Sequence, residues 1–301
     1  MILSRNLGRI SGNLLCALSM FLWSAAFPAN EILLETWGTV TLSFLKFFMG
    51  VPVLFLIWIW IDGRDSIRDA PWIRGSVIGG IGFGIGSIIF IIGQDLSDAV
   101  TPAIAVAMMP IMGAILELVI EGRHLTLRLV TGIILAFGGG VLATGVKLGD
   151  ANFGFGALLC LVATLFFAWG TQALTRNFPA LSIMGQSTLS IFGGFVACAL
   201  MLPVFFLFNI PGIEIGSLNN TNINLIMLIV LISMVVGQTI WMWGAGSLGI
   251  LLASFHMNAV PFYVMVILIV LMDGSWNWMQ GFGVVVIAAG VAIAQKDRFG
   301  D

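Results

Sequence analysis

An aromatic side chain and an amide stand three residues apart at two places in the sequence, as Trp169 with Gln172 and as Gln238 with Trp241. Residues with this spacing lie on the same face of a helix. An indole ring can stack on an apolar group, while the neighbouring amide hydrogen-bonds a polar group of the same molecule. The two pairs predict a binding site for a small amphipathic molecule such as an amino acid, with helix packing and an interfacial aromatic belt as the alternative.

Other side chains could complete such a site. His256 and Asn258 precede Pro261, and a proline deprives a backbone carbonyl of its usual donor, so this stretch can face a polar cavity. His256 could bind substrate or titrate, and a hydrogen-bonded core histidine is the competing interpretation. Four residues are predicted to supply an apolar lining, with core packing as the alternative for each: Trp23, Phe27, Phe90 and Met108.

Two charged residues and two prolines interrupt the apolar runs. A charge inside such a run is costly, so each is a hypothesis of function. Lys46 could pair with a substrate carboxylate, but pairing with backbone carbonyls or extension toward the membrane surface is favoured. Glu117 lies one turn from the end of its run, where a bond between helices is favoured over a proton relay. Pro110 and Pro261 are predicted hinges.

The elements that position these residues are predicted to be helices in lipid. Of the 301 residues, 59% are hydrophobic and 9% are charged, whereas a soluble domain carries roughly 25% charged residues. The apolar runs are continuous over about 20 residues, the length that a spanning helix needs, and do not alternate as barrel strands do. The sequence therefore predicts an all-α integral membrane protein, and no basic run points to nucleic acid.

Ten spans with short connections are predicted. Their approximate ranges are 11–28, 37–61, 72–94, 99–120, 127–146, 153–174, 181–208, 223–245, 249–272 and 278–295. Cytoplasmic loops are enriched in Lys and Arg. With ten spans, Lys147 stands alone on one side, and both termini are placed in the cytoplasm with the remaining loop cations: Arg5, Arg9, Arg64, Arg68, Arg74, Arg123, Arg128, Arg176, Lys296 and Arg298.

The two halves of the chain repeat each other. Gly12-x-Leu-Leu-Cys16 returns as Gly156-x-Leu-Leu-Cys160. Each half, predicted as 1–147 and 148–301, contains five spans, an odd number, so the second half must enter the membrane upside down. Inverted repeats are an architecture of secondary transporters, with the substrate site near the midplane between the repeats.

Glycines of the third predicted span stand four residues apart, as in Gly75-xxx-Gly79, Gly80-xxx-Gly84 and Gly82-xxx-Gly86. Small residues at this spacing let helix backbones approach closely. We expect tight packing at this helix, with a thin-walled or bending helix as the functional alternative.

The order of these motifs resembles the EamA family of the drug/metabolite transporter superfamily. Lys46 and Asp273 depart conservatively from the family's usual Arg and Glu. The matching residues are Leu22-Trp23-Ser24, Phe27, Lys46-Phe47-Phe48, Pro110, Glu121-Gly122, Gly132, Gly139-Gly140-Val141, Pro261, Asp273-Gly274, Gly283 and Gly290-Val291. The resemblance implies a basket of ten helices around a cavity lined by helices 1, 3, 4, 6, 8 and 9, with helices 5 and 10 at the periphery. It also implies export of small metabolites, commonly amino acids, and the aromatic amino acid exporters look similar.

A secondary transporter that exports amino acids from the cell across the inner membrane by alternating access is therefore predicted. Drug or metabolite efflux and nucleotide-sugar exchange are the alternatives within transport. The non-transport alternative is an intramembrane enzyme built on Ser247 and His256. With only His124 and His256 and no HExxH motif, neither a metal nor a cofactor is predicted. The expected partners are a small-molecule substrate and membrane lipid, with the oligomeric state left open.

Overall fold

The structure is a computed structural model that describes residues 9–120, 122, 126–143, 151–248, 253 and 255–295. Every regular element within those residues is a helix, which confirms the predicted all-helical class. The apolar helices are labelled α1 to α10 in chain order, and several of them consist of consecutive helical segments that differ in geometry.

The first half contains α1 to α5, with a short helix, Asp65–Arg68, after α2. Their bounds are α1, Arg9–Ser24 and Ala26–Leu34; α2, Thr39–Asp62; α3, Trp72–Gly79, the π-helical segment Gly80–Ile85 and Gly86–Asp95; α4, Val100–Ala107 and Met109–Ile120; and α5, Leu127–Ala143. The second half contains α6, Ala151–Asn177; α7, Ile183–Leu207; α8, Asn220–Met227, the π-helical segment Leu228–Val236 and Gly237–Leu248; α9, a 3₁₀ segment Phe255–Ala259 and Val260–Leu271; and α10, Trp278–Gln295.

Six of these helices, α1, α2, α3, α6, α7 and α8, are each long and apolar enough to cross a membrane. The two segments of α4 pass the same test only together and are bent by 47°, and α5, α9 and α10 are shorter apolar helices. The chain is therefore a multi-pass membrane protein. The ten-span count and the inverted repeat remain predictions, and the predicted boundary at residue 147 lies outside the described residues.

Helix α1 extends farther than predicted. Its expected end at Pro28 is wrong, because the helix resumes at Ala26 after a break at Ala25 and continues to Leu34. Proline is tolerated in the first turn of a helical segment, where its missing N–H has no intrahelical acceptor. Asn30 and Glu31 consequently lie in α1.

The two halves contact each other through matched helix pairs. Helix α1 packs on α8 as α6 packs on α3, and α2 packs along α8 as α7 packs along α3. In the same way α9 contacts α1 as α4 contacts α6, while α5 and α10 pack extensively on each other. The packing therefore follows the repeat that is visible in the sequence.

The glycines of α3 allow the close packing predicted for them. A Cβ atom added to Gly79 would lie 2.8 Å from the carbonyl oxygen of Leu189 in α7. A Cβ atom on Gly82 would lie 2.7 Å from the Cα atom of Gly170 in α6. Real Cβ atoms do not tolerate such distances, so larger side chains would push α3 away from both neighbours.

The π-helical segments of α3 and α8 were not predicted, and they occupy matched positions. Each is followed by a glycine, Gly86 in α3 and Gly237 in α8. Seven residues farther on stand Gly93 and Gly244. π-Helices account for well under 1% of residues in globular proteins and frequently occur at functional sites. The repeat therefore includes a rare backbone feature.

The start of α2 is held by the loop after α7, and the start of α7 is held by the last residue of α2. At one end of the bundle, the N–H of Gly38 donates to the carbonyl of Glu214 and the N–H of Val40 to that of Gly212, both at 2.9 Å. At the other end, Ser182 caps α7 by accepting from the N–H of Gly185 at 3.0 Å and donates to the Asp62 carboxylate. We call these ends the Glu214 end and the Asp62 end.

Candidate functional site

An apolar cluster joins helices of both halves and contains all four residues predicted as apolar lining. Phe27, Phe90 and Met108 are buried in it, and Trp23 packs against it. The cluster also includes buried Trp241, with Trp169 packed against it. We call it the core cluster. The structure thus brings six predicted site residues together, and their role in binding remains a prediction.

Two indole rings mark the crossing of α1 and α8 within the core cluster. Trp23 and Trp241 stack with ring centroids 6.2 Å apart. Gly237 makes room for this arrangement, because a Cβ atom there would lie 2.6 Å from Cδ1 of Trp23. Two hydroxyls tie the helices: Ser19 donates to the carbonyl of Gly237 and Ser233 to that of Leu22, both at 2.7 Å. The crossing is fixed by hydrogen bonds as well as by packing.

The matched crossing of α3 and α6 is built from phenylalanine rings. Phe167 of α6 meets Phe90 at 5.5 Å and Phe83 at 6.0 Å between ring centroids. A Cβ atom on Gly86 would lie 3.0 Å from Cε1 of Phe167. Phe167 was missed as a site residue, yet it follows Gly156 by 11 positions, as Trp23 follows Gly12. Aligning the two repeats would have found it.

The repeated Gly-x-Leu-Leu-Cys motif makes the same contact in each half. A Cβ atom on Gly244 would lie 2.6 Å from the sulfur of Cys16 and 3.1 Å from the carbonyl oxygen of Gly12. A Cβ atom on Gly93 would lie 2.7 Å both from the sulfur of Cys160 and from the carbonyl oxygen of Gly156. The motif is thus the surface through which α1 packs against α8 and α6 packs against α3.

The side-chain amides of Gln172 and Gln238 each hydrogen-bond a neighbouring helix in this conformation. The side-chain nitrogen of Gln172 donates to the carbonyl of Gly113 in α4 at 3.1 Å. That of Gln238 donates to the hydroxyl of Ser187 in α7 at 3.0 Å. Because Trp241 stacks on α1 while Gln238 reaches α7, the two residues do not form one continuous wall here.

The residues around the two prolines lie at helix breaks. Pro110 and Pro261 are each the second residue of a helical segment, after a break at Met108 in α4 and after the 3₁₀ segment of α9. His256 is half-buried, with Nδ1 3.2 Å from the carbonyl oxygen of Ala253, and Asn258 is buried. A proline cannot donate the hydrogen bond of a regular helix, which accounts for both breaks.

The remaining predicted residues lie outside the core cluster. Lys46 is half-buried on α2, on the face that also presents Ser43 and Gly50 to the bundle. Glu117 is half-buried in the last turn of α4. Ser247, the enzyme candidate, donates to the carbonyl of Gly244 at 2.8 Å. Within the described residues, no group of three or more His, Cys, Asp or Glu side chains could hold a metal ion.

A buried amide pair, Asn30 and Gln94, was missed. Asn30 of α1 is 4% exposed and Gln94 of α3 is 2% exposed. The side-chain nitrogen of Gln94 donates to the carbonyl of Phe27 at 2.6 Å, and that of Asn30 approaches Oε1 of Gln94 at 3.4 Å. Both residues stood at or beyond the ends of their predicted spans, where polar residues normally face water, so no sequence pattern indicated their burial.

Two clefts lead into the bundle from opposite directions. A cleft of about 240 Å³ is lined by Glu31, Asp98, Ala99, Val100, Met265, Leu268, Gly274, Ser275 and Gln280. We call it the Asp98 cleft, and its lining includes Ala99, Val100 and Met265 of the core cluster. A cleft of about 540 Å³ lies at the Asp62 end and is lined by Asp62, Ser66, Asp69, Pro71, Asn177, Phe178, Pro179, Ala180, Leu181 and Ser182.

Comparison with known proteins agrees with this architecture. Residues 10–145 match the model of the EamA-like transporter family, which confirms the resemblance over the first half of the chain. A solved structure titled "Crystal structure of protein" shares the fold, with a TM-score of 0.67, 98% of this chain and 100% of that chain covered, and 17% sequence identity. No curated protein sequence matches the chain.

Proposed function

We propose that this membrane transporter of small molecules, which resembles the EamA-like family over residues 10–145, exports amino acids. Aromatic and other small amphipathic amino acids are the proposed substrates, and alternating access is the proposed mechanism. The transport unit consists of two inverted five-helix repeats, 1–147 and 148–301. The core cluster, where α1 crosses α8 and α3 crosses α6, is the proposed binding site.

The matched contacts of the Gly-x-Leu-Leu-Cys motif are the observation that carries the proposal. The motif packs on Gly244 in one half and on Gly93 in the other, with the same atoms in contact. One five-helix unit therefore makes the same interface twice. Two copies in opposite orientations give inward-open and outward-open arrangements of similar energy, which is what alternating access needs.

The positions of the two elbows support inversion of the repeats. The first elbow, at Gly122, follows the last residue of α4. The matching elbow, at Gly274, lines the Asp98 cleft beside the first turn of α4. Matching parts of the two repeats thus lie at opposite ends of one helix.

The distribution of arginines supports a cytoplasmic location for the Asp62 end. Arg64, Arg68 and Arg74 stand in or beside the segment that connects α2 with α3, and Arg176 ends α6 next to the same cleft. The lining of the Asp98 cleft contains Glu31 and Asp98 but neither Lys nor Arg. This asymmetry follows the rule that basic loops stay in the cytoplasm.

The core cluster is closed in this structure, as an occluded state would be. Phe27, Phe90 and Trp241 are each less than one-tenth exposed. A cleft reaches toward the cluster from one end, and another indents the opposite end. The breaks in α4 and α9 and the π-helical segments of α3 and α8 give these helices points at which one end can move while the other stays packed.

Flux through the purified full-length protein tests the proposal. Proteoliposomes loaded with labelled tryptophan are expected to release it faster than protein-free vesicles, and Trp241→Ala is expected to slow release at least about tenfold, the loss of an aromatic contact worth about 1.4 kcal/mol. Trp60→Ala is the matched control, because Trp60 is 80% exposed on α2. Equal flux in wild type, Trp241→Ala and protein-free vesicles would overturn the proposal.

A further inference from the structure

We infer that the Asn30–Gln94 amide pair receives the ammonium group of the substrate, so that the transporter selects molecules with a protonated amine. The inference rests on the proposed function and names the chemical group that one part of the site recognises. Asn30 of α1 and Gln94 of α3 join the two helices beside the rings of Phe27 and Phe90.

The geometry leaves one buried acceptor without a donor. The amide nitrogen of Gln94 is committed to the carbonyl of Phe27, so its oxygen faces Asn30. Asn30 meets that oxygen with its own nitrogen, and Oδ1 of Asn30 is buried without a hydrogen-bond partner. Exchanging the oxygen and nitrogen of Asn30 would place two acceptors face to face. A buried acceptor left unpaired destabilises the protein, and a hydrogen-bond donor on a ligand would remove that cost.

The surroundings suit an ammonium group better than a carboxylate. Gln94 Oε1 accepts a long hydrogen bond of 3.4 Å and keeps a lone pair for a second donor. The ring centroids of Phe27 and Phe90 lie 6.2 Å apart, and the face of an aromatic ring attracts a cation. Two acceptor oxygens beside two rings can surround an ammonium group, whereas a carboxylate would face oxygens whose amide nitrogens are already engaged.

The Asp98 cleft carries two carboxylates that stand close in sequence to this pair. Glu31 follows Asn30 directly in α1, and Asp98 stands four positions after Gln94. Asp98 caps α4 by accepting from the N–H groups of Val100 and Thr101 at 3.1 and 2.8 Å, and its carboxylate still contributes to the local field. A cleft whose walls carry one sign of charge raises the local concentration of the opposite sign.

The amide pair breaks the symmetry of the two repeats. The positions that match Asn30 and Gln94 in the second half hold Leu174 and Ala245, which have no amide. A substrate amine therefore finds its acceptors on one side of the core cluster only. An aromatic amino acid would bind in a single orientation, with its ring toward the α1/α8 crossing.

Three indole compounds separate the parts of the substrate that matter. Tryptophan has an ammonium and a carboxylate, tryptamine has the ammonium alone, and indole-3-propionate has the carboxylate alone. Equilibrium binding to purified full-length protein is expected for tryptophan and tryptamine but not for indole-3-propionate. Asn30→Leu is expected to weaken tryptamine binding about tenfold to a hundredfold, as expected for one hydrogen bond to a charged group.

Two further variants keep the inference falsifiable. Asn30→Asp retains an acceptor oxygen of similar size and is expected to bind tryptamine at least as tightly as wild type. Leu174→Gln, the matched control, adds an amide to the other half and is expected to leave tryptamine binding unchanged. Tryptamine binding that survives Asn30→Leu, or indole-3-propionate binding in place of tryptamine, would overturn the inference and leave the transporter proposal standing. Failure of all three compounds to bind wild-type protein would overturn both.

Discussion

The two helix crossings of the core cluster share one plan and differ in how firmly their helices are tied. In each crossing the Gly-x-Leu-Leu-Cys motif of one helix packs on a glycine of the other, Gly244 or Gly93. In each, an aromatic ring, Trp23 or Phe167, packs on a glycine that follows a π-helical segment. These shared features are the ones expected from the predicted repeat.

The difference lies in the hydroxyl groups. Ser19 and Ser233 join α1 to α8 through backbone carbonyls. The matching positions hold Ala163 in α6 and Gly82 in α3, which have no hydroxyl. At Gly82 the two backbones meet directly, with Gly170 of α6 opposite. Two hydroxyl hydrogen bonds hold the α1/α8 crossing, whereas the α3/α6 crossing combines a glycine contact with one long hydrogen bond, from the Cys160 thiol to the Phe90 carbonyl at 3.8 Å.

The number of hydrogen bonds at each crossing indicates where one helix is expected to slide past the other. A hydrogen bond is lost when two helices slide past each other, whereas van der Waals contact between small residues changes little. In the proposed alternating-access cycle, we therefore expect the α3/α6 crossing to slide and the α1/α8 crossing to stay fixed. We therefore expect Gly82 and Gly170, as well as the predicted hinge at Pro110, to take part in the proposed change between open states.

Removing the aromatic ring at either crossing is expected to have the largest effect. Trp23→Ala and Phe167→Ala each leave a cavity beside a glycine, and such changes cost about 3–5 kcal/mol of unfolding free energy in protein cores. Thermal unfolding of the purified protein in detergent measures the loss, with Trp60→Ala as the exposed control. If only one of the two variants lost stability, the two crossings would not share the same packing.

Adding a methyl group at the motif contacts ranks second. Gly93→Ala and Gly244→Ala place a Cβ atom against Gly156 and Cys16 respectively, at distances under 3 Å. Overpacking of this kind costs about 1–3 kcal/mol, so both variants are expected to unfold at lower temperature. Gly138→Ala is the control, since a Cβ atom there meets nothing within 4 Å. Wild-type stability in either variant would contradict the matched contacts.

Removing the hydroxyl groups of Ser19 and Ser233 is expected to have the smallest effect on stability. It tests whether hydrogen bonds distinguish the α1/α8 crossing from the α3/α6 crossing. Ser19→Ala and Ser233→Ala are each expected to cost about 0.5–1.5 kcal/mol, the net value of one hydrogen bond. Thr171→Val is the control, because its hydroxyl bonds the Phe167 carbonyl within its own helix. If the double variant matches the control in thermal unfolding, the α1/α8 crossing is not tied as described.

The sequence predicted the all-helical class because lipid imposes long apolar helices, and a repeated motif was visible in Gly12, Cys16, Gly156 and Cys160. Six predicted site residues lie in or against the core cluster, since aromatic residues recur on the faces that these helices bury, and their role in binding stays a prediction. The π-helical segments could not be predicted, because a continuous apolar run has the same composition in an α-helix and in a π-helix. The Asn30–Gln94 pair was also missed, because α1 continues past Pro28 and only three-dimensional packing buries an amide near a helix end.

Labelling of single cysteines in intact cells tests the central claim, the inversion of the two repeats, most directly. In a background with Cys16, Cys160 and Cys198 replaced by Ala, the two elbows are probed by Leu127→Cys and Ser275→Cys, both at exposed positions. A membrane-impermeant maleimide is expected to label Ser275→Cys from outside the cell, and Leu127→Cys only after the membrane is permeabilised. Labelling of both positions from the same side would contradict the inverted repeat and the transport mechanism built on it.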